Sequence, residues 1–304
     1  MKRKVLVLGM VASMGFANFT FEGAGARSLG MGGAFTAISD DASSLFYNPA
    51  GLLRVIEREE MYMYSSKLDA LTYQYVGLVW KNTGFSYLNQ GGDLQKAENQ
   101  YGDRAGESIY AISYAKKING KIGCGGSLKI LHYANQRASD SGFGLDLGML
   151  YSPEIKEDLS LGFTLRNLTA KIQGEKITPT ITGGVAIRLN PVLFWKGLRN
   201  DGFGEAYSCG FKRKSFFEEE SFPLLMSLDL YNKKDNKDKK KLGWALGGEY
   251  KAFDILLFRL GLNNGDIGGG IGLAHDKWRL DYAYSIKDLI ERVDNHYLSL
   301  SMSF

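Results

Sequence analysis

The chain has 304 residues with 38 Gly, only 5 Pro, 17 Phe, 17 Tyr and 4 Trp, and 44% of it is hydrophobic. Two Cys (Cys124 and Cys209) and three scattered His exclude a disulfide framework and a zinc site of ordinary spacing. A formal net charge of +4 would suit a nucleic-acid partner, but the placement of that charge removes the reading.

Met1 is followed by Lys2, Arg3 and Lys4 and then by an apolar run from Val5 to Ala17. A basic start, a short apolar stretch and small residues at its end make a secretory signal peptide over residues 1–17. Cleavage is expected after Ala17, with Ser13 as the alternative. The run is too short for a helical membrane anchor, which needs about 20 residues. No Cys follows it to take a lipid. Removing it takes three basic residues and no acidic ones, leaving 34 Lys+Arg against 33 Asp+Glu. The mature chain is nearly neutral, so nothing draws it to nucleic acid. The later lysine run, Lys237 to Lys241, is broken by Asp238 and reads as a solvated loop.

Residues 18–57 are rich in Gly, Ala and Ser, with one Pro, and show no strand-like alternation. Beyond them the period is two. Candidate strands fall near 58–66, 70–80, 83–89, 107–116, 120–134, 142–152 and 158–167. Seven more fall near 178–189, 222–231, 242–251, 254–263, 267–275, 277–286 and 295–304. In the last, His296, Leu298, Leu300, Met302 and Phe304 share one face, and Tyr297, Ser299, Ser301 and Ser303 the other. Asn119-Gly120, Asn263-Asn264-Gly265-Asp266 and His275-Asp276-Lys277 read as hairpin turns.

Nearly every strand has one full apolar face opposite Gly, Ser, Thr and single charges. So polar an interior would not hold a soluble sandwich together. Turned outward, the apolar faces meet lipid and the polar ones line a lumen. The expected fold is all-β: a transmembrane antiparallel β-barrel of about 14 strands over residues 58–304, closed because lipid cannot satisfy a sheet edge. Tyr62, Tyr64, Tyr73, Tyr151, Tyr231, Tyr250 and Tyr284 near strand ends would mark the membrane interfaces. If the first strand runs outward, most inner turns are short; residues 190–221 break this as a long inner segment that could hide a short helix or an extra strand. Residues 168–179 fall among the outer loops.

Lys129, Asp146, Arg166, Arg188, Asp229, Glu249, Arg259, Arg279 and Asp281 project into the lumen on this alternation. They either line a permeation path or pair with one another and with whatever fills the barrel; pairing is the preferred reading, because buried charge demands it. Fourteen strands leave a lumen wide enough to be a pore or to need a plug. Residues 18–57 would fit inside as a hatch, their glycines allowing close approach to the wall.

That segment carries a resemblance. Gly25-Ala26-Arg27-Ser28-Leu29-Gly30-Met31-Gly32-Gly33-Ala34, then Asp40-Asp41-Ala42-Ser43 and Tyr47-Asn48-Pro49-Ala50-Gly51-Leu52, resembles the N-terminal signature of the PorV/PorQ family, within the wider FadL/TodX outer-membrane channel group. The ending, Gly268-Gly269-Gly270-Ile271-Gly272-Leu273 with Leu280-Asp281-Tyr282-Ala283-Tyr284-Ser285, resembles the same family. The resemblance implies a 14-stranded barrel in the outer membrane of a diderm bacterium with its N-terminus folded into the lumen. It also implies a passive channel for hydrophobic compounds such as long-chain fatty acids, or a PorV-like adaptor that binds exported proteins or a type IX secretion apparatus.

The glycines lack G-x-G-x-x-G spacing after a strand, so they are no dinucleotide loop. Asp40 and Asp41 could be paired carboxylates, but neighbours in an extended chain point apart, and a turn or N-cap role is preferred. Asn48-Pro49-Ala50-Gly51 reads as a turn, with Gly51 free to take positive φ. No catalytic set, metal site or cofactor is expected. Phe304, a terminal aromatic, would be read by the outer-membrane assembly machinery.

Overall fold

In a computed structural model the structure describes residues 23–67, 71–93, 104–135, 138–153, 159–172, 175–189, 224–234, 240–252, 255–287 and 293–304. The expected signal peptide and residues 190–221 lie outside them. Fourteen strands close an antiparallel barrel. In chain order these are β1 (Glu59–Lys67), β2 (Leu71–Trp80), β3 (Thr83–Asp93), β4 (Arg104–Lys117), β5 (Ile122–Asn135), β6 (Ser139–Tyr151) and β7 (Leu159–Arg166). After a small hairpin, β8 (Lys171–Ile172) and β9 (Glu175–Lys176), the wall resumes with β10 (Thr180–Leu189), β11 (Leu224–Lys234) and β12 (Lys240–Ala252). It ends with β13 (Leu256–Asn263), β14 (Asp266–His275), β15 (Trp278–Lys287) and β16 (Val293–Ser303). Each wall strand pairs with the next, β7 pairs with β10, and β16 returns to β1 from Glu59↔Ser303 to Ser66↔His296.

The alternation sets which face looks where. On β13 Leu260 is 74% exposed while its neighbour Arg259 is 2% exposed. Phe143, Leu128, Ile112 and Leu298 likewise face outward, and Asp146, Ser127, Ser113 and Ser299 inward. An exposed apolar belt around a polar-lined interior is what a bilayer selects. Asn264 (φ 49) and Gly265 (φ 101) make the β13–β14 turn, the positive-φ pair that a tight hairpin requires.

The structure corrects the alternation in three places. β3 continues past the end expected at residue 89, through Gln90-Gly91-Gly92 to Asp93; ladder pairing uses backbone and carries straight on to Asp93↔Arg104. Tyr73 and Tyr231 face the lumen, not a membrane interface: Tyr73 is fully buried and donates to the Gly23 carbonyl, and Tyr231 donates to Asn263 Oδ1 at 2.5 Å. Residues 168–179 are no plain outer loop. Ala170 and Ile172 turn inward, pack on Leu131 and Tyr133 of β5, and β8 pairs with β9.

Candidate functional site

The lumen is occupied by the segment before β1. It forms one helical turn at Ala26–Gly30, a second at Ser44–Tyr47 and a 3-10 turn at Pro49–Leu53. None is long enough to stand alone, so the barrel wall holds them. The floor under Leu29–Gly33 is made of wall glycines. A Cβ on Gly30 would lie 3.3 Å from the Gly270 backbone, and one on Gly32 (φ +66) 2.8 Å from the backbone of Leu262. A Cβ on Gly261 would in turn lie 2.1 Å from Gly32 N, so at Gly32 and Gly261 backbone lies on backbone and both positions require glycine, whereas Gly30 is tight without being closed to a side chain.

Above this floor six side chains form a closed ring of alternating charge. Arg27 Nε and Nη2 donate to the two Glu249 carboxylate oxygens at 2.8 and 2.7 Å. Arg259 Nε donates to Glu249 Oε2 at 2.6 Å, and its Nη1 lies 2.9 Å from Asp281 Oδ1. Arg279 Nε donates to Asp281 Oδ2 at 2.8 Å and Nη2 to Asp41 Oδ2 at 2.9 Å. Asp41 closes the ring by accepting from Arg27 Nη1 at 3.1 Å. Every member is buried, and Arg259 and Asp281 have no side-chain exposure. Burial alone would push the Asp41 carboxyl up; the guanidiniums of Arg279 and Arg27 outweigh it and hold it below the usual carboxylate range.

Asp40 also accepts from Arg27 Nη1, at 2.6 Å, and lies 3.4 Å from Arg188. The two aspartates thus converge on one guanidinium instead of pointing apart, because residues 40–43 bend: Asp41 Oδ1 accepts from the Ser43 amide and hydroxyl. Of the remaining lumenal charges, Lys129 pairs with Asp146 at 2.7 Å and Arg166 stacks its guanidinium on Phe46. Asp229 accepts the amides of Phe35 and Thr36 at 3.1 and 2.9 Å. All nine predicted lumenal charges are thereby engaged.

Asn48 holds the other end of the segment. Its Nδ2 donates to the carbonyls of Thr36 and Met149, at 2.9 and 3.1 Å, and its Oδ1 accepts from Ala50 N. Pro49 starts the 3-10 turn with its fixed φ, and Ala50 packs beside Gly125 of β5. Gly51 does not take positive φ; it is required because a Cβ there would strike the Ser39 carbonyl. Gly33 does (φ +78), turning the chain under Asn263. Phe304 donates its amide to the Arg58 carbonyl, tying the chain end to the start of β1, and its ring takes the Arg58 guanidinium.

The alternation left the lumenal tyrosines Tyr75 and Tyr133 unassigned, whereas Tyr297 lies buried on the polar face expected for it. On β2 both faces are apolar (Leu71, Tyr73, Tyr75 and Val79 against Val76, Leu78 and Trp80), so hydropathy could not choose. It also missed Arg54, whose guanidinium bridges the carbonyls of Ala37 and Ile38 to Ser160 of β7. Among the described residues no group of three His, Cys, Asp or Glu converges to hold a metal.

No protein-family model matches the chain. No curated protein matches it either. Solved structures do. The Pseudomonas putida toluene transporter TodX superposes with a TM-score of 0.60 at 13% identity, over 95% of this chain and 100% of that one. The monoaromatic hydrocarbon channel CymD gives 0.58 at 14% identity, over 94% and 99% of the two chains. A Pseudomonas aeruginosa FadL homologue gives 0.54 at 12% identity, over 95% and 100%. At such identities the likeness is one of fold: this chain has the closed 14-strand barrel of FadL/TodX-type outer-membrane channels.

Proposed function

We propose that the chain is an outer-membrane channel of FadL type in a diderm bacterium, exported by residues 1–17 and passing small hydrophobic compounds through a barrel of residues 58–304 gated by a hatch of residues 18–57. The observation that carries this reading is the build of the lumen. Its filling is a docked segment, and one side of that segment is apolar. Leu45, Leu52, Leu88, Tyr73 and Tyr75 form one cluster, and Ile109 joins it to Leu131, Tyr133, Ala170 and Ile172 at the β8–β9 hairpin. An apolar seam thus runs between the two lumenal inserts, suited to long-chain fatty acids or to aromatic hydrocarbons of the kind TodX and CymD carry. Membrane lipid covers the outer belt, and Phe304 presents the chain end to the assembly machinery. Uptake of labelled oleate and toluene by a deletion strain tests it: reduced uptake restored by the gene supports the channel, and parental rates for both refute it.

A second reading has its own observation. Hatch and hairpin both occupy the lumen, which suits a barrel that conducts nothing and binds exported proteins, as a PorV-like adaptor would. Co-purification after gentle detergent extraction separates the two, because an adaptor brings a secreted partner and a channel does not.

A further inference from the structure

The barrel wall carries a notch. β5 and β6 pair from Ile122↔Tyr151 to Ala134↔Ser139. β6 and β7 pair only from Tyr151↔Leu161 to Leu147↔Leu165. β7 then leaves the wall at Asn167, which takes a left-handed backbone (φ 59). A buried network holds it there: Asn167 N donates to Asp146 Oδ1 at 2.7 Å, and Lys129 Nζ reaches both Asp146 and Asn167 Oδ1. β6 therefore runs on from Asp146 to Ser139 with no ladder on its β7 side.

Backbone groups alternate sides along a strand. The Ser141 amide turns to the Asp140 side chain and the Leu145 carbonyl accepts from Leu168 N, so the odd-numbered residues point away from β5. Among the described residues no backbone hydrogen bond reaches the Leu145 N–H, the Phe143 N–H and C=O or the Ser141 C=O on that side. The far side of the notch is occupied with itself, since Asn232 takes Ile181 N and the Pro179 carbonyl. The notch also has a floor. A Cβ on Gly142 would lie 1.8 Å from the Lys171 carbonyl, and one on Gly144 3.5 Å from the Ala170 Cβ. Ala170 and Lys171 thus stand between it and the lumen, which makes it a seat on the wall and not an exit from it.

Lipid cannot satisfy free backbone groups. An extended polypeptide can, because its donors and acceptors repeat at the spacing of the edge. Phe143 is 73% exposed and stands outward beside that edge. With the chain ends at the inner rim, it lies eight residues above Tyr151, or roughly 20 Å along the membrane normal, so the edge reaches the outer surface.

We propose that the β6 edge from Ser141 to Leu145 is a strand-addition site for an extended segment of a partner protein. The segment pairs with β6 through its backbone, sets small side chains over Ala170 and Lys171, and turns apolar ones outward beside Phe143. The site lies outside the lumen and holds whether the barrel conducts or not.

The test uses the full-length protein in lipid nanodiscs and a synthetic peptide alternating Val and Ala, with a lysine at each end. Hydrogen exchange resolved to single amides is the readout. With the peptide added to its solubility limit, the Phe143 and Leu145 amides should exchange roughly tenfold slower or more. Those of Gly142 and Gly144, which face β5, should not change. A fully N-methylated peptide should protect none of them. Unchanged exchange at Phe143 and Leu145, or equal protection by the methylated peptide, overturns the site. So does protection of these two amides to the level of Gly142 and Gly144 before any peptide is added. Phe143→Pro removes an edge donor and spares the β5 ladder, a place where proline is tolerated; Phe143→Ala keeps the donor. Both should assemble, with F143A binding labelled peptide and F143P binding it about tenfold more weakly. Equal binding by the two overturns the site, and if F143P fails to assemble the exchange result on the unmodified protein decides.

Discussion

The two sides of the lumen are built on different physics. Toward β1–β5 the inward positions are Met61, Met63, Tyr73, Tyr75, Leu88 and Leu131, and the hatch meets them with Leu45, Tyr47 and Leu52. Toward β10–β15 they are Arg188, Asp229, Glu249, Arg259, Arg279 and Asp281, and the hatch meets them with Arg27, Asp40, Asp41 and backbone amides. Apolar contacts are non-directional and tolerate small shifts; a closed ring of ion pairs fixes position and fails sharply when one member is lost. The charged side sets the register of the hatch, while the apolar side supplies its adhesion.

Substitutions should separate the two sides, beginning with the largest effect. Arg259→Met on the charged side leaves Glu249 and Asp281 without their shared cation and should cost about 3–5 kcal/mol, seen as loss of the heat-resistant folded band. Leu52→Ala on the apolar side removes a fully buried side chain and should cost about 2–5 kcal/mol. Its barrel should still assemble, with a lower urea midpoint; equal loss of assembly in both variants would erase the distinction. Asn48→Ala strands two carbonyls and the Ala50 amide and should cost about 1–3 kcal/mol, read as faster proteolysis of the hatch with the wall unchanged.

The smallest effect concerns pH. Asp41 has its folded pKa depressed below the ordinary carboxylate value of 3.8, so its contribution is complete above that value and is lost as pH falls through the folded pKa. Protection of the Ser43 amide, which donates to Asp41 Oδ1, should therefore be the same in hydrogen exchange at pH 7 and pH 5 once intrinsic rates are corrected. A drop between those values would show that Asp41 is not held by Arg27 and Arg279.

Strand number and facing were legible because lipid outside and polar side chains inside leave a period of two along most strands, as Leu260 beside Arg259 illustrates. Where both faces are apolar, as on β2, that signal vanishes, and Tyr73 reads as an interface residue although it faces the lumen. The lumenal charges were legible singly, since each interrupts an alternation. Their closure into a ring was not, because Arg27 and Glu249 are 222 residues apart and only the barrel's register brings Glu249, Arg259 and Asp281 together. The β8–β9 hairpin was illegible for a different reason: strands of two residues carry no measurable period.

The hatch lies inside the barrel with its first helical turn against β14 and β15. A Cβ on Gly30 would stand 3.5 Å from the Ala283 Cβ, at the near edge of disulfide reach, about 3.5–4.5 Å. A G30C/A283C variant, free of the native cysteines and oxidised in isolated membranes, should form that bond and shift the unfolded band on a non-reducing gel. Two cysteines that stay reduced and label freely, in a barrel that has assembled, would contradict it.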